Sequence, residues 1–84
     1  MKHYTIHATE RVRERYGLEP TDEEWADTVL DIINAVGGTG TQALLLRRLN
    51  LDAELWIARL RGRCMKVVYQ PTAARIITVL PVGA

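Results

Sequence analysis

The sequence predicts an α+β fold, with two N-terminal helices packed on a four-stranded antiparallel sheet. Three observations predict it. Apolar residues at helical spacing, with N-terminal caps, are confined to roughly the first 36 residues. Runs rich in β-branched and aromatic residues, separated by turn residues, fill the rest. The 84 residues suit one domain, residues 1–84, and leave no room for a second.

The first helix is expected over Ile6 to Tyr16, with Thr5 at the N-cap and Gly17 as the C′ residue. Ala8, Val12 and Tyr16 form its apolar stripe. His7, Arg11 and Arg15 form a parallel stripe rotated by about 100°. Glu10 and Glu14 lie beyond it, toward solvent. His7, Arg11 and Arg15 therefore sit at the margin where this helix meets its partner surface, and a cleft would form there.

Leu18-Glu19-Pro20 is a connector. Thr21-Asp22-Glu23-Glu24 reads as a capping box, with Thr21 at the N-cap and Glu24 three residues on. Trp25, Val29, Ile32, Ile33 and Val36 carry the second helix to about Val36, and Asp27 and Asp31 face solvent. Gly37-Gly38-Thr39-Gly40-Thr41 ends it. A glycine cluster that follows a helix, with no lysine after it, reads as a flexible turn and not as a phosphate cradle.

Gln42–Leu49 and Glu54–Leu60 read as strands around a turn at Asn50-Leu51-Asp52-Ala53. A helix over Ala53–Leu60 is the competing reading, since Ala, Glu, Leu and Arg favour helices. Trp56, Ile57 and the alternation of Arg59, Arg61 and Arg63 favour the strand. Cys64–Tyr69 and Arg75–Leu80 form the closing hairpin, with Pro71–Ala74 as its loop and Pro81 as its stop. A regular register sets Val67 opposite Thr78, Val68 opposite Ile77 and Lys66 opposite Val79. Thr78 then shares a face with Met65, Val67, Tyr69 and Ile76, away from Lys66, Gln70 and Arg75. Both faces are largely apolar, which places the hairpin in the middle of the sheet with something packed on at least one side.

The net charge of +1 conceals an asymmetry. Residues 1–36 hold four cations against eight acids, and residues 37–84 hold seven cations against Asp52 and Glu54. An arginine-rich sheet half suits phosphate, which a guanidinium binds bidentately. A solvated sheet face accounts for the same charges equally well. Cys64 is the only cysteine, so an intramolecular disulfide and a cysteine-based zinc site are excluded. As a strand residue it is expected to be buried. No carboxylate pair or histidine cluster suits a metal or glycosidase mechanism, and no cofactor is expected. His3 is expected to be idle. With no apolar run after Met1–Thr5 and no segment of transmembrane length, the protein is expected to be soluble and cytoplasmic, without membrane contact.

Thr5-x-His7-Ala8-x-x-Arg11-x-x-Glu14-Arg15-x-Gly17 resembles the T-x-H-A-x-x-R-x-x-E-R-x-G opening of a family of small uncharacterised bacterial and phage proteins. Gly62-x-x-x-Lys66-Val67-Val68-Tyr69-x-Pro71, with Arg75–Pro81 after it, is similar to that family's closing hairpin. The family looks like a branch of the RelE-like (barnase–EndoU–colicin) superfamily of metal-independent ribonuclease toxins. The resemblance covers about residues 5–36 and 60–81; residues 40–59 carry none.

The resemblance implies a RelE-like fold and RNA cleavage by 2′-hydroxyl attack on the adjacent phosphate. It puts the family's histidine and arginine on His7 and Arg11, and its late threonine on Thr78. A histidine can act as base or acid near neutral pH, and an arginine one turn away can stabilise a phosphorane. Arg15, Arg59, Arg61, Arg63, Lys66 and Arg75 are the expected RNA contacts, and an antitoxin or other protein partner is the further implied ligand. His7 and Thr78 could instead staple the first helix to the last strand. A non-catalytic module that docks on RNA or on a host protein is the competing function.

Overall fold

A computed structural model describes residues 2–39 and 42–81. In chain order the elements are α1 (Ile6–Tyr16), α2 (Asp22–Val36), β1 (Leu44–Asn50), β2 (Ala53–Leu60), β3 (Arg63–Gln70) and β4 (Arg75–Val79). The strands form one antiparallel sheet in the order β1-β2-β3-β4. Two helices on a four-stranded antiparallel sheet is the α+β arrangement the sequence predicts. Residues 53–60 are strand and not helix. Gly40 and Thr41, part of the expected flexible turn, lie outside the described residues.

Both helices begin as their caps require. The Thr5 Oγ1 accepts the Ala8 N–H at 3.0 Å, and Gly17 closes α1 at φ 66. Thr21 Oγ1 accepts from Glu24 N–H, and a Glu24 oxygen accepts from Thr21 N–H, so the capping box is complete. α1 packs on β4 and α2 on β2, with Thr28 Oγ1 donating to the Arg59 carbonyl at 2.7 Å.

The helices cover one face of the sheet. That face presents Trp56, Ala58 and Leu60 from β2, Met65, Val67 and Tyr69 from β3, and Ile76 and Val79 from β4. With Ala8, Val12, Trp25, Val29 and Ile32 from the helices they form the core. The β2–β3 connection is Arg61-Gly62, at φ 52 and 79. Two positive φ values are the signature of the tight turn whose twist matches flanking strands.

The closing hairpin departs from the regular register. Val67 pairs with Val79, Val68 with Thr78, and Tyr69 with Ile76, so Ile77 is an extra residue, a β-bulge. Thr78 therefore shares its face with Val68, not with Val67, and lies on the side the helices leave open. Nor is the hairpin wholly central, because β4 ends the sheet.

The outer edge of β4 is sealed by the N-terminal segment. Ile76 N–H donates to the His3 carbonyl at 2.9 Å, and Thr5 N–H donates to the Ile76 carbonyl at 3.0 Å. Thr5 Oγ1 donates to the carbonyl of Ile77 at 2.6 Å, which satisfies the bulge residue's displaced acceptor. Thr5 thus starts α1 and secures the bulge together. Thr5→Ala should lower unfolding free energy by about 1–2 kcal/mol in chemical denaturation. Thr5→Ser, which keeps both bonds, should stay close to the parent protein. Equal loss in both variants would show that the hydroxyl is not the stabilising group.

Candidate functional site

The helix-free face of the sheet is built by strand pairing. Partners opposite one another share a face, so Leu44 joins Ile57, Arg47 joins Leu55, Arg59 joins Cys64, and Ile57 joins Lys66. Leu55 joins Val68, Val68 joins Thr78, and Gln70 joins Arg75. The result is an apolar centre of Leu55, Ile57 and Val68 with Arg47, Arg59, Lys66 and Arg75 around it. No paired strand residue on this face is acidic. Among the described residues, neither Arg47 nor Arg59 has an ion-pair partner. Among the described residues the face carries no aromatic side chain: Trp56 and Tyr69 turn to the helices.

One end of this face is tied down. Asp52, in the β1–β2 turn, accepts from the Thr72 hydroxyl at 2.7 Å, from the Thr72 N–H at 3.2 Å and from Gln70 Nε2 at 2.8 Å. Gln70 Oε1 accepts from Arg75 Nε at 2.8 Å. The chain Asp52–Gln70–Arg75 holds the Arg75 guanidinium in place.

The six expected RNA contacts separate. Arg59, Lys66 and Arg75 share the open face. Arg61 lies in the β2–β3 turn, where its Nε meets Glu24 Oε2 at 3.2 Å. Arg63 is opposite Leu60 on the helix side, with its guanidinium 5.3 Å from the centre of the Tyr16 ring. Arg15 donates to the Val79 carbonyl from α1. The alternation 59-61-63 is thus not one row, because the tight turn interrupts it. Arg47 belongs to the face but was hidden in the sequence, since bulges on either side of the Arg47–Arg48 pair break its strand period.

His7, Arg11 and Thr78 are also dispersed. His7 is exposed on α1, with no hydrogen-bond partner among the described residues. Arg11 Nη1 pairs with Glu14 Oε2 at 2.8 Å. Thr78 lies on the face of the sheet that α1 does not cover, with Lys66 and Arg75 and not with His7. The staple between α1 and the end of the sheet consists of Thr5, Arg15 and Tyr16, whose hydroxyl donates to the Leu80 carbonyl at 3.2 Å. His3 is engaged, with Nδ1 2.9 Å from the Ala74 carbonyl oxygen. Cys64 is exposed on the open face and not buried.

A second concave feature lies on the helix side. Ala35, Val36, Leu45 and Trp56 line a trough of about 480 Å³ between α2 and β1. It adjoins a hollow of about 370 Å³ lined by Ile33, Val36, Tyr69 and Pro71. Glu54 lies at the junction, nearly buried. One of its oxygens accepts from Trp56 Nε1 at 3.0 Å, and the other meets Arg48 Nη2 at 3.3 Å. Burial, and then the Glu54 charge, raise the Tyr69 phenol above its usual 10.0. Among the described residues, no group of three or more His, Cys, Asp or Glu is placed to hold a metal ion, and no helix is long and apolar enough to cross a membrane.

No protein-family model, curated protein or solved structure matches the chain.

The tie at Asp52 has a pH signature. The Thr72 hydroxyl, and then Gln70, hold its carboxyl below the usual 3.8, against the opposing effect of burial. The carboxylate therefore adds stability that is complete above pH 3.8 and is lost as pH falls through the lower folded value. The melting-temperature gap between the parent and Asp52→Asn should narrow as pH falls through that window. A gap independent of pH would show that the carboxylate charge is not what ties the turn.

Proposed function

We propose that the chain binds RNA on the helix-free face of its sheet, chiefly through the phosphates. The observation that supports this is the clustering of Arg47, Arg59, Lys66 and Arg75 on one uncovered face with no acidic strand residue among them. Guanidinium and ammonium groups gathered on one face suit a strand's phosphates. The lack of an aromatic platform leaves little for base stacking, so affinity is electrostatic and weakly dependent on base identity.

Cleavage by 2′-hydroxyl attack is the toxin-like extension of this proposal. The bulge helps it, because Thr78, Lys66 and Arg75 share the RNA face. Lys66 and Arg75 supply cations for a crowded phosphate. No paired strand residue of the face carries an imidazole or a carboxylate to take the proton, Asp52 at its end is engaged by Thr72 and Gln70, and His7 is on α1. Binding is therefore the activity this face supports best. A second proposal rests on its apolar centre: Leu55, Ile57 and Val68 suit docking on a protein, which salt would barely weaken.

RNA affinity measured against salt separates these. The account predicts a steep fall in affinity with salt. Arg59→Ala, Lys66→Ala and Arg75→Ala should each flatten the slope by about one contact, whereas Arg61→Ala and Arg63→Ala should leave it unchanged. An equal effect from all five would mean diffuse charge and not a face. No RNA binding at low salt would overturn the proposal in favour of protein docking.

The same RNA, incubated in EDTA with its 3′ ends examined, tests the extension. If His7 is the base, His7→Ala should lower cleavage by about 10²–10⁴ with RNA affinity retained. Cleavage unchanged in His7→Ala would remove His7 from the chemistry. No cleavage by the parent would leave a binding module.

A further inference from the structure

The two edges of the sheet are treated differently. The edge of β4 is sealed by His3, Thr5 and Arg15. The edge of β1 is open: β1 is the other end strand, and its only strand partner among the described residues is β2. All seven of its residues are exposed. The helices pack chiefly on other strands, α1 on β4 and α2 on β2, and a trough separates α2 from β1. Leu44, Leu45, Leu46 and Leu49 are exposed along it, with Val36 of α2 exposed across the trough and Ile33 in the hollow beside it. A small protein that exposes this many large apolar side chains along an unpaired strand presents a template for another strand.

Charge decides which strand. Arg47 is the central residue of β1. An antiparallel pairing of two copies about that centre sets Arg47 against Arg47, a like-charge pair that destabilises the ladder. Sliding the copies one way sets Arg48 against Arg48. Sliding them the other way shortens the ladder and lays arginine against leucine. Arg47 has no ion-pair partner among the described residues, and a strand carrying carboxylates would supply one; Arg48, on the opposite face of β1, already meets Glu54 at 3.3 Å. The edge therefore rejects its own copy and favours an acidic one.

We propose that β1 takes up an extended segment of another protein as a fifth strand, one in which carboxylates are interspersed with aliphatic residues. Main-chain hydrogen bonds to the open edge hold it, leucine-lined ground on the helix side takes its aliphatic side chains, and Arg47 selects its charge. This surface is distinct from the RNA face except at Leu44 and Arg47, where the two meet.

A labelled peptide of about seven residues, matched to strand length and alternating leucine with glutamate, is the probe. Fluorescence anisotropy should show saturable binding. The peptide with lysine in place of glutamate should bind at least about tenfold more weakly to the same protein. Leu45→Glu, at an exposed position on the helix side of β1, should remove binding of the glutamate peptide while melting unchanged. Arg59→Ala and Lys66→Ala, which weaken RNA binding, should leave peptide affinity as it was, so that failure of the RNA proposal and failure of this one are separable. Equal affinity for both peptides, or no binding of either, would overturn the proposal. So would a dimer in sedimentation equilibrium that Leu45→Glu dissociates, since the occupant would then be a second copy.

Discussion

Two backbone hydrogen bonds, from Ile76 to the His3 carbonyl and from Thr5 to the Ile76 carbonyl, organise the molecule. They lay residues 3–5 along the edge of β4, with Tyr4 and Ile76 in a parallel bridge. From that position Tyr4 stacks on Trp25 of α2, with ring centres 5.1 Å apart, and its hydroxyl donates to Asp22. The hydrogen bonds from the Tyr4 hydroxyl and Lys2 keep the Asp22 carboxyl below its ordinary range. Thr5 starts α1. One short segment thus closes a sheet edge, seats the first helix and anchors the second. Because both helices are held toward β4 and β2, one face of the sheet and the edge of β1 stay uncovered.

The bulge at Ile77 is tied to the same segment through Thr5, and the proposed function depends on it most. Its carbonyl turns to the Thr5 hydroxyl, and the next residue, Thr78, moves to the open face. In a regular hairpin Thr78 would be under the helices, separated from Lys66 and Arg75. The bulge assembles those three on one surface. Arg47 and Arg59, the exposed charges on that surface, need no desolvation while the protein is alone, and a guanidinium is more weakly hydrated than an ammonium when it meets phosphate.

Much of the fold was legible in the sequence. Thr5, Gly17 and Thr21 with Glu24 set the helix ends, because capping is local chemistry. The strands were legible where β-branched residues alternate, as in Arg75–Val79. What was not legible depends on contacts between distant segments. No local signal marks Ile77 as a bulge, since its displaced carbonyl is satisfied from Thr5, far away in the chain. The Arg61-Gly62 turn splits an apparent arginine row, and only Gly62 hinted at it. Cys64 is exposed because, among the described residues, no second helical layer covers its face, which no single residue encodes. The dispersal of His7, Arg11 and Thr78 follows from the bulge, and Arg11 sits beside Glu14 on its own helix, where close spacing makes an ion pair easy.

RNA is proposed to meet the open face of the sheet and not the helices. Backbone amide NMR of the protein, titrated with a short single-stranded RNA at low salt, tests it most directly. The account predicts shift changes concentrated at Arg47, Ile57, Arg59, Lys66, Val68, Arg75 and Thr78, with the exposed sides of α1 and α2 unmoved. Changes confined to the exposed sides of α1 and α2, or no changes at all, would contradict it.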